Sequence, residues 1–63
     1  MRLYSVHLGS SVSVQNKNNW STKIIKQQIV FDDSNIIEQN NNEIHIILNS
    51  LDLYIKNSDV KII

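Results

Sequence analysis

Residues 43–56 read Glu43-Ile44-His45-Ile46-Ile47-Leu48-Asn49-Ser50-Leu51-Asp52-Leu53-Tyr54-Ile55-Lys56, and the two halves of this segment alternate in phase about its centre. Side chains of a strand point to opposite faces with a period of two, so a hairpin here must satisfy both halves with one register. A two-residue turn at Asn49-Ser50 does so. It sets Leu48 opposite Leu51, Ile46 opposite Leu53 and Ile44 opposite Ile55 on one face, and Ile47–Asp52, His45–Tyr54 and Glu43–Lys56 on the other. A slip of one residue would place isoleucines against lysine or asparagine, which ties the register to the hydrophobic pattern.

The same reasoning extends in both directions. A turn at Asn57-Ser58 sets Lys56 against Asp59, Ile55 against Val60, Tyr54 against Lys61 and Leu53 against Ile62. A turn around Asn41-Asn42, where asparagine enters left-handed backbone at low cost, sets Ile37 against Ile46, Glu38 against His45 and Ile36 against Ile47. The spacing predicts a four-stranded meander over residues 35–39, 43–48, 51–56 and 59–63. Near the N-terminus, Tyr4, Val6, Leu8, Val12 and Val14 alternate with polar residues, and a Gly9-Ser10-Ser11 loop predicts a hairpin with Leu8 opposite Val12 and Val6 opposite Val14. Residues 15–21 read as a polar loop. Residues 22–31 admit two readings: a helix capped by Ser21, with Trp20 stapled on Ile25, or a strand with Ile25, Ile29 and Phe31 in one phase. The β-branched content favours the strand, and Asp32-Asp33-Ser34 ends the element in either case.

Composition supports strands. The 63 residues include eleven isoleucines and nine asparagines, one glycine, and no alanine, proline or cysteine. Alanine, the best helix former, is missing while β-branched residues abound. The isoleucine and asparagine bias is that of an AT-rich coding sequence. A chain of this length makes one domain, residues 1–63, that buries only about 60% of the surface its unfolded form exposes. Without cysteine it has no disulfide and no thiolate metal site. No apolar run approaches the roughly 20 residues needed to cross a bilayer, and no signal-peptide pattern is present, so the expectation is a cytoplasmic location without membrane contact.

Charge divides along the chain. Residues 1–31 carry Arg2, Lys17, Lys23 and Lys26 with no acid, whereas residues 32–63 carry all six acids against Lys56 and Lys61. Lys17, Asn18, Asn19, Trp20, Lys23 and Lys26 together form the one cluster with a recognisable chemistry, an aromatic plane among cations and amides. Tryptophan anchors protein interfaces, and lysines beside an aromatic ring can hold the phosphates of a stacked base. His7 and His45 could join Glu38 or Glu43 at a metal, but their spacing matches no metal motif and a hydrogen-bonded histidine on a polar face fits better. No serine stands in a glycine-framed elbow, and one glycine cannot build a phosphate loop, so neither an enzyme nor a cofactor is expected.

These observations predict an all-β fold, a small antiparallel sandwich or partly open barrel built from the N-terminal hairpin and the meander; the alternative is an α+β fold with one short helix near 21–29. An apolar sheet face needs a cover, and an unblunted C-terminal edge strand invites self-association. The expectation is a homo-oligomer joined through Ile36, Ile47, Val60, Ile62 and Ile63. For function, the expectation is a non-enzymatic module that binds a protein partner through Lys17, Asn19, Trp20, Lys23 and Lys26, a regulator or inhibitor of the kind encoded by phages or mobile elements. The alternative is a small barrel that binds single-stranded nucleic acid through Trp20 and its neighbouring lysines.

Overall fold

The computed structural model describes residues 2–63 and is all-β, with eight strands in two antiparallel sheets that pack face to face without closing into a barrel. The strands are β1 (Leu3–Val6), β2 (Ser11–Asn16), β3 (Asn19–Ile24), β4 (Ile29–Asp32), β5 (Ile36–Gln39), β6 (Glu43–Leu48), β7 (Leu51–Lys56) and β8 (Val60–Ile62). One sheet has the order β4-β1-β8 and the other β3-β2-β7-β6-β5.

The central hairpin forms in the register the alternation requires, from Glu43–Lys56 through Leu48–Leu51. Its turn has positive φ at both Asn49 (53°) and Ser50 (65°), the pair of left-handed residues that matches the twist of the flanking strands. Ile44, Ile46, Leu53 and Ile55 are buried on the inner face, joined by Val12 and Val14 of β2, Val6 and Phe31 of the opposing sheet, and Ile25. The Tyr4 ring stacks on Phe31, with centroids 5.0 Å apart, at one margin of this core.

Two expected chain reversals are instead corners. The predicted hairpin of Val6 with Val14 does not form. At residues 7–10, where Gly9 has φ 87°, the chain bends from one sheet into the other without turning back, and Val6 pairs with Ile29 and Val60 while Val14 pairs with Ser21 and Leu53. The reversal falls at Lys17-Asn18, so the predicted polar loop over 15–21 shrinks to two residues and Trp20 lies in a strand. From Leu3–Asp32 through Val6–Ile29 and Ser11–Ile24 to Asn16–Asn19, the residue numbers of every pair add to the same total. Residues 3–32 are thus one long hairpin folded over at a shared corner, where the Ile25 N–H donates to the Ser10 carbonyl at 2.9 Å.

The second corner corrects the meander. Residues 57–59 form a 3₁₀ turn that carries the chain across to the smaller sheet, so β8 pairs with β1, placing Ile62 opposite Tyr4 and Val60 opposite Val6, rather than with β7. Strands that change sheet through bends are how two sheets share one core while their edges stay short. The vacated position beside β7 is taken by β2. On the other flank, Glu38 faces His45 as expected, but a bulge at Ile37 moves Ile36 opposite Ile46 instead of Ile47.

Side-chain caps close the remaining turns. The Asp32 carboxylate accepts from the Ser34 amide and hydroxyl while Asn35 Oδ1 accepts from the Asp32 amide at 3.0 Å, which starts the 3₁₀ turn 33–35. Asn40 Oδ1 accepts from the amides of Asn42 and Glu43 at 2.8 and 2.9 Å, so the asparagine run is turn chemistry. The helix alternative for 21–29 is not realised: residues 19–24 and 29–32 are strands, and the described residues contain no α-helix.

Candidate functional site

Pairing in the five-stranded sheet fixes what its outer face presents. One rung runs Trp20, Gln15, Asp52, Ile47, and the next runs Thr22, Ser13, Tyr54, His45, Glu38. Trp20 leans across the small and polar residues of β2 to reach Tyr54, with ring centroids 5.1 Å apart and planes tilted by 43°. Tyr54 in turn stacks on His45 at 4.2 Å and 14°. Three rings thereby form a continuous row across β3, β2, β7 and β6, with Trp20 58% exposed at its outer end.

Polar contacts hold the row in place. Tyr54 Oη donates to Gln15 Oε1 at 3.3 Å. His45 Nε2 lies 2.8 Å from Asp52 Oδ1, and because an ionised carboxylate only accepts, the imidazole carries its proton on Nε2 and donates it. The ring therefore has both its tilt and its tautomer set by neighbours. Glu38, Glu43 and Asp52 all share this face, against Lys56 alone, so its electrostatic character is acidic.

The expected lysine and tryptophan cluster is split by the same alternation. Trp20 lies opposite Gln15 on the outer face, whereas Lys23 lies opposite the buried Val12 and so belongs to the inner face of β3. Lys17 and Asn18 form the hairpin turn, and Asn19 follows it. Lys23 and Lys26 meet instead at a groove of about 390 Å³ on the inner side, between the β3–β4 connection and the Leu48–Leu51 turn, floored by Val12, Val14, Ile29 and Leu53. Lys23 is thus on the opposite face of β3 from the aromatic ring, and the charged group on the ring's own rung is a carboxylate, Asp52, two strands away.

The proposed oligomer residues are dispersed as well. Ile47 is 41% exposed on the outer face, but Ile36 and Val60 pack against the core, and Ile62 and Ile63 lie on and beyond β8 in the other sheet. These residues do not share one face, because the bulge at Ile37 turns Ile36 toward Ile46 and the corner at 57–59 carries Val60, Ile62 and Ile63 to the other sheet. No three histidine, aspartate or glutamate side chains converge among the described residues in a way that could hold a metal ion.

Away from this face, the Tyr4 hydroxyl donates to Asp33 Oδ1 at 2.7 Å and the Arg2 amide donates to Oδ2 at 3.4 Å. The first of these hydrogen bonds is the main reason that Asp33 is held below the usual carboxylate range and the Tyr4 phenol is raised above 10.

Trp20 is legible in the sequence as the sole tryptophan, but its company is not. The His45–Tyr54 pair was already implied by the hairpin register; Trp20 joins it only because β2 lies beside β7, a pairing between residues far apart in the chain. The chain matches no protein-family model, no curated protein and no solved structure.

Proposed function

We propose that this chain is a non-catalytic protein-binding module whose working surface is the outer face of the five-stranded sheet, and that its partner presents a basic segment. The carrying observation is the exposed Trp20 ring resting on the Tyr54–His45 stack. A tryptophan held by a second aromatic loses little side-chain freedom on binding, which is the property of an interface anchor. The surrounding Glu38, Glu43 and Asp52 supply the opposite charge for lysine or arginine, whose cationic groups also favour the face of an indole. A regulator or inhibitor of this kind acts by occupying its partner.

A row of rings on an open sheet also resembles the base-stacking platforms of single-stranded nucleic-acid binders. Charge favours the protein-binding reading, because phosphates approaching Trp20 would meet carboxylates while Lys23 lies on the other face of the sheet. The test is titration of Trp20 fluorescence with an arginine-rich peptide and, separately, with an oligothymidylate. The peptide should change the emission saturably, and Trp20→Phe, which keeps the stack, should retain binding by calorimetry while Trp20→Ala loses it. Quenching by the oligonucleotide that collapses with added salt, and no response to the peptide, would overturn the proposal in favour of the nucleic-acid reading.

A further inference from the structure

Each sheet ends in two edge strands, and they are unequal. β8 has three residues and β4 four, while β5 has four and is interrupted by the bulge at Ile37. β3 is six residues long, continuous in register, and exposed at every position. It contains no proline and a single lysine, so none of the devices that commonly protect an edge is present apart from that one charge.

The tight turn at Lys17-Asn18 determines which backbone groups face outward. Residues flanking a two-residue turn form a hydrogen-bonded pair, so Asn16 and Asn19 bond each other, and the alternation continues through Val14–Ser21 and Val12–Lys23 to the Ser10–Ile25 bond at the corner. The amides and carbonyls of Asn19, Ser21 and Lys23 are therefore used by β2. Those of Trp20, Thr22 and Ile24 point away from it, toward a side where no strand lies.

We infer that β3 pairs antiparallel with β3 of a second copy of this chain about a two-fold axis at Thr22, joining the two five-stranded sheets into one. Only registers that oppose outward-bonding residues are allowed, and three lie near the middle of the strand. Centring on Ser21 pairs Trp20 with Thr22 and leaves Ile24 against a turn residue. Centring on Lys23 opposes two ammonium groups directly. Centring on Thr22 gives three hydrogen-bonded pairs, Trp20–Ile24, Thr22–Thr22 and Ile24–Trp20, with two bonds to each and six in all. It also sets the exposed Trp20 (58%) against the exposed Ile24 (51%) on the outer face, places threonine against threonine at the axis, and opposes Lys23 by Ser21 on the inner face. The strand is self-complementary in this register, as an isologous dimer contact must be. The seam shares Trp20 with the aromatic face, but it is argued from the free backbone groups of β3 and not from what binds the ring.

Sedimentation equilibrium combined with amide hydrogen exchange tests it. The wild-type chain should dimerise, with the amides of Trp20, Thr22 and Ile24 gaining protection as concentration rises. An isotope-filtered NOE should connect Ser21 of one copy to Lys23 of the other, the closely spaced non-hydrogen-bonded pair. Thr22→Pro removes an amide that β2 does not use and should weaken dimerisation by on the order of tenfold or more, the effect of losing two ordinary hydrogen bonds, while leaving the far-ultraviolet spectrum β-rich. If that variant fails to fold, Thr22→Lys, which opposes two like charges at the axis, decides the matter, with Ile62→Lys on the β8 edge as the control that should leave assembly unchanged. A monomer at millimolar concentration, or a dimer that survives either Thr22 substitution in folded protein, overturns the inference.

Discussion

Ile46 and Ile47 are identical side chains at adjacent positions of β6, and the register sends them opposite ways: Ile46 is 0% exposed and Ile47 is 41% exposed. Replacing each by valine removes the same methylene from two environments. At Ile46 the lost group is fully packed, and such a deletion costs about 0.5–1.5 kcal/mol. At Ile47 the change falls among surface substitutions, within about 0.5 kcal/mol of neutral. For a domain near this size each kcal/mol moves the thermal midpoint by roughly 4–8 °C, so Ile46→Val should lower it by about 2–12 °C. Because a chain this short is expected to have only about 3–9 kcal/mol of total stability, valine is a better probe than alanine, whose cost of about 2–5 kcal/mol could unfold it. Thermal and urea unfolding followed by circular dichroism, at one fixed protein concentration, gives the comparison. An equal or greater loss at Ile47 would mean that β6 presents its other face to the core, and the whole sheet assignment would fail with it.

Ser50→Gly should stabilise the protein by about 0.5 kcal/mol, because the left-handed conformation costs a non-glycine residue roughly 1–2 kcal/mol and glycine's greater unfolded freedom offsets about 0.5–1 of that; a lower urea midpoint would contradict it. Gly9→Ala should destabilise through backbone strain alone, since φ is 87° and an added Cβ meets nothing within 4 Å, so the loss should be no larger than about 1–2 kcal/mol by the same melts. Tyr4→Phe should remove a small, pH-bounded stabilisation. Asp33, held low, contributes above its unfolded value of about 3.9 and loses that contribution as pH falls through its folded value. Tyr4, raised, contributes below about 10 and loses its contribution as pH climbs through its own folded value. The difference between wild type and variant should therefore be flat near neutrality and shrink at both extremes, and a difference that grows toward either extreme would refute the sign.

The parts of the fold legible in the sequence were those in which a strand's partner follows it directly. Residues 43–56 carry their turn, their alternation and their cross-strand matches within one segment, and the structure reproduces that pairing. Val6, by contrast, is apolar and inward-facing whether its neighbour is Val14 or the pair Ile29 and Val60, because alternation specifies a face and not a partner. The Gly9 segment and the Asn57-Ser58-Asp59 segment have the chemistry of reversals, and a sharp corner needs the same residues as a hairpin turn. Lys17-Asn18 is followed by Asn19-Trp20-Ser21-Thr22-Lys23, which carries no apolar alternation to fix a register, so the true reversal there was hidden in a polar stretch. Of the candidate site, Trp20 was visible as the sole tryptophan. Its stacking on Tyr54 depends on β2 lying beside β7, and its separation from Lys23 depends on residues 19–24 being extended, which the sequence left open.

The unbroken pairing of residues 3–32 also bears on how the chain reaches this state. Zipping can begin at Lys17-Asn18 and run outward through the bend, each rung closing only a slightly larger loop than the last, with a penalty that grows just logarithmically. Laying residues 51–62 along that ribbon is the distant step, joining segments at opposite ends of the polypeptide, and for that reason it is the step expected to set the folding rate.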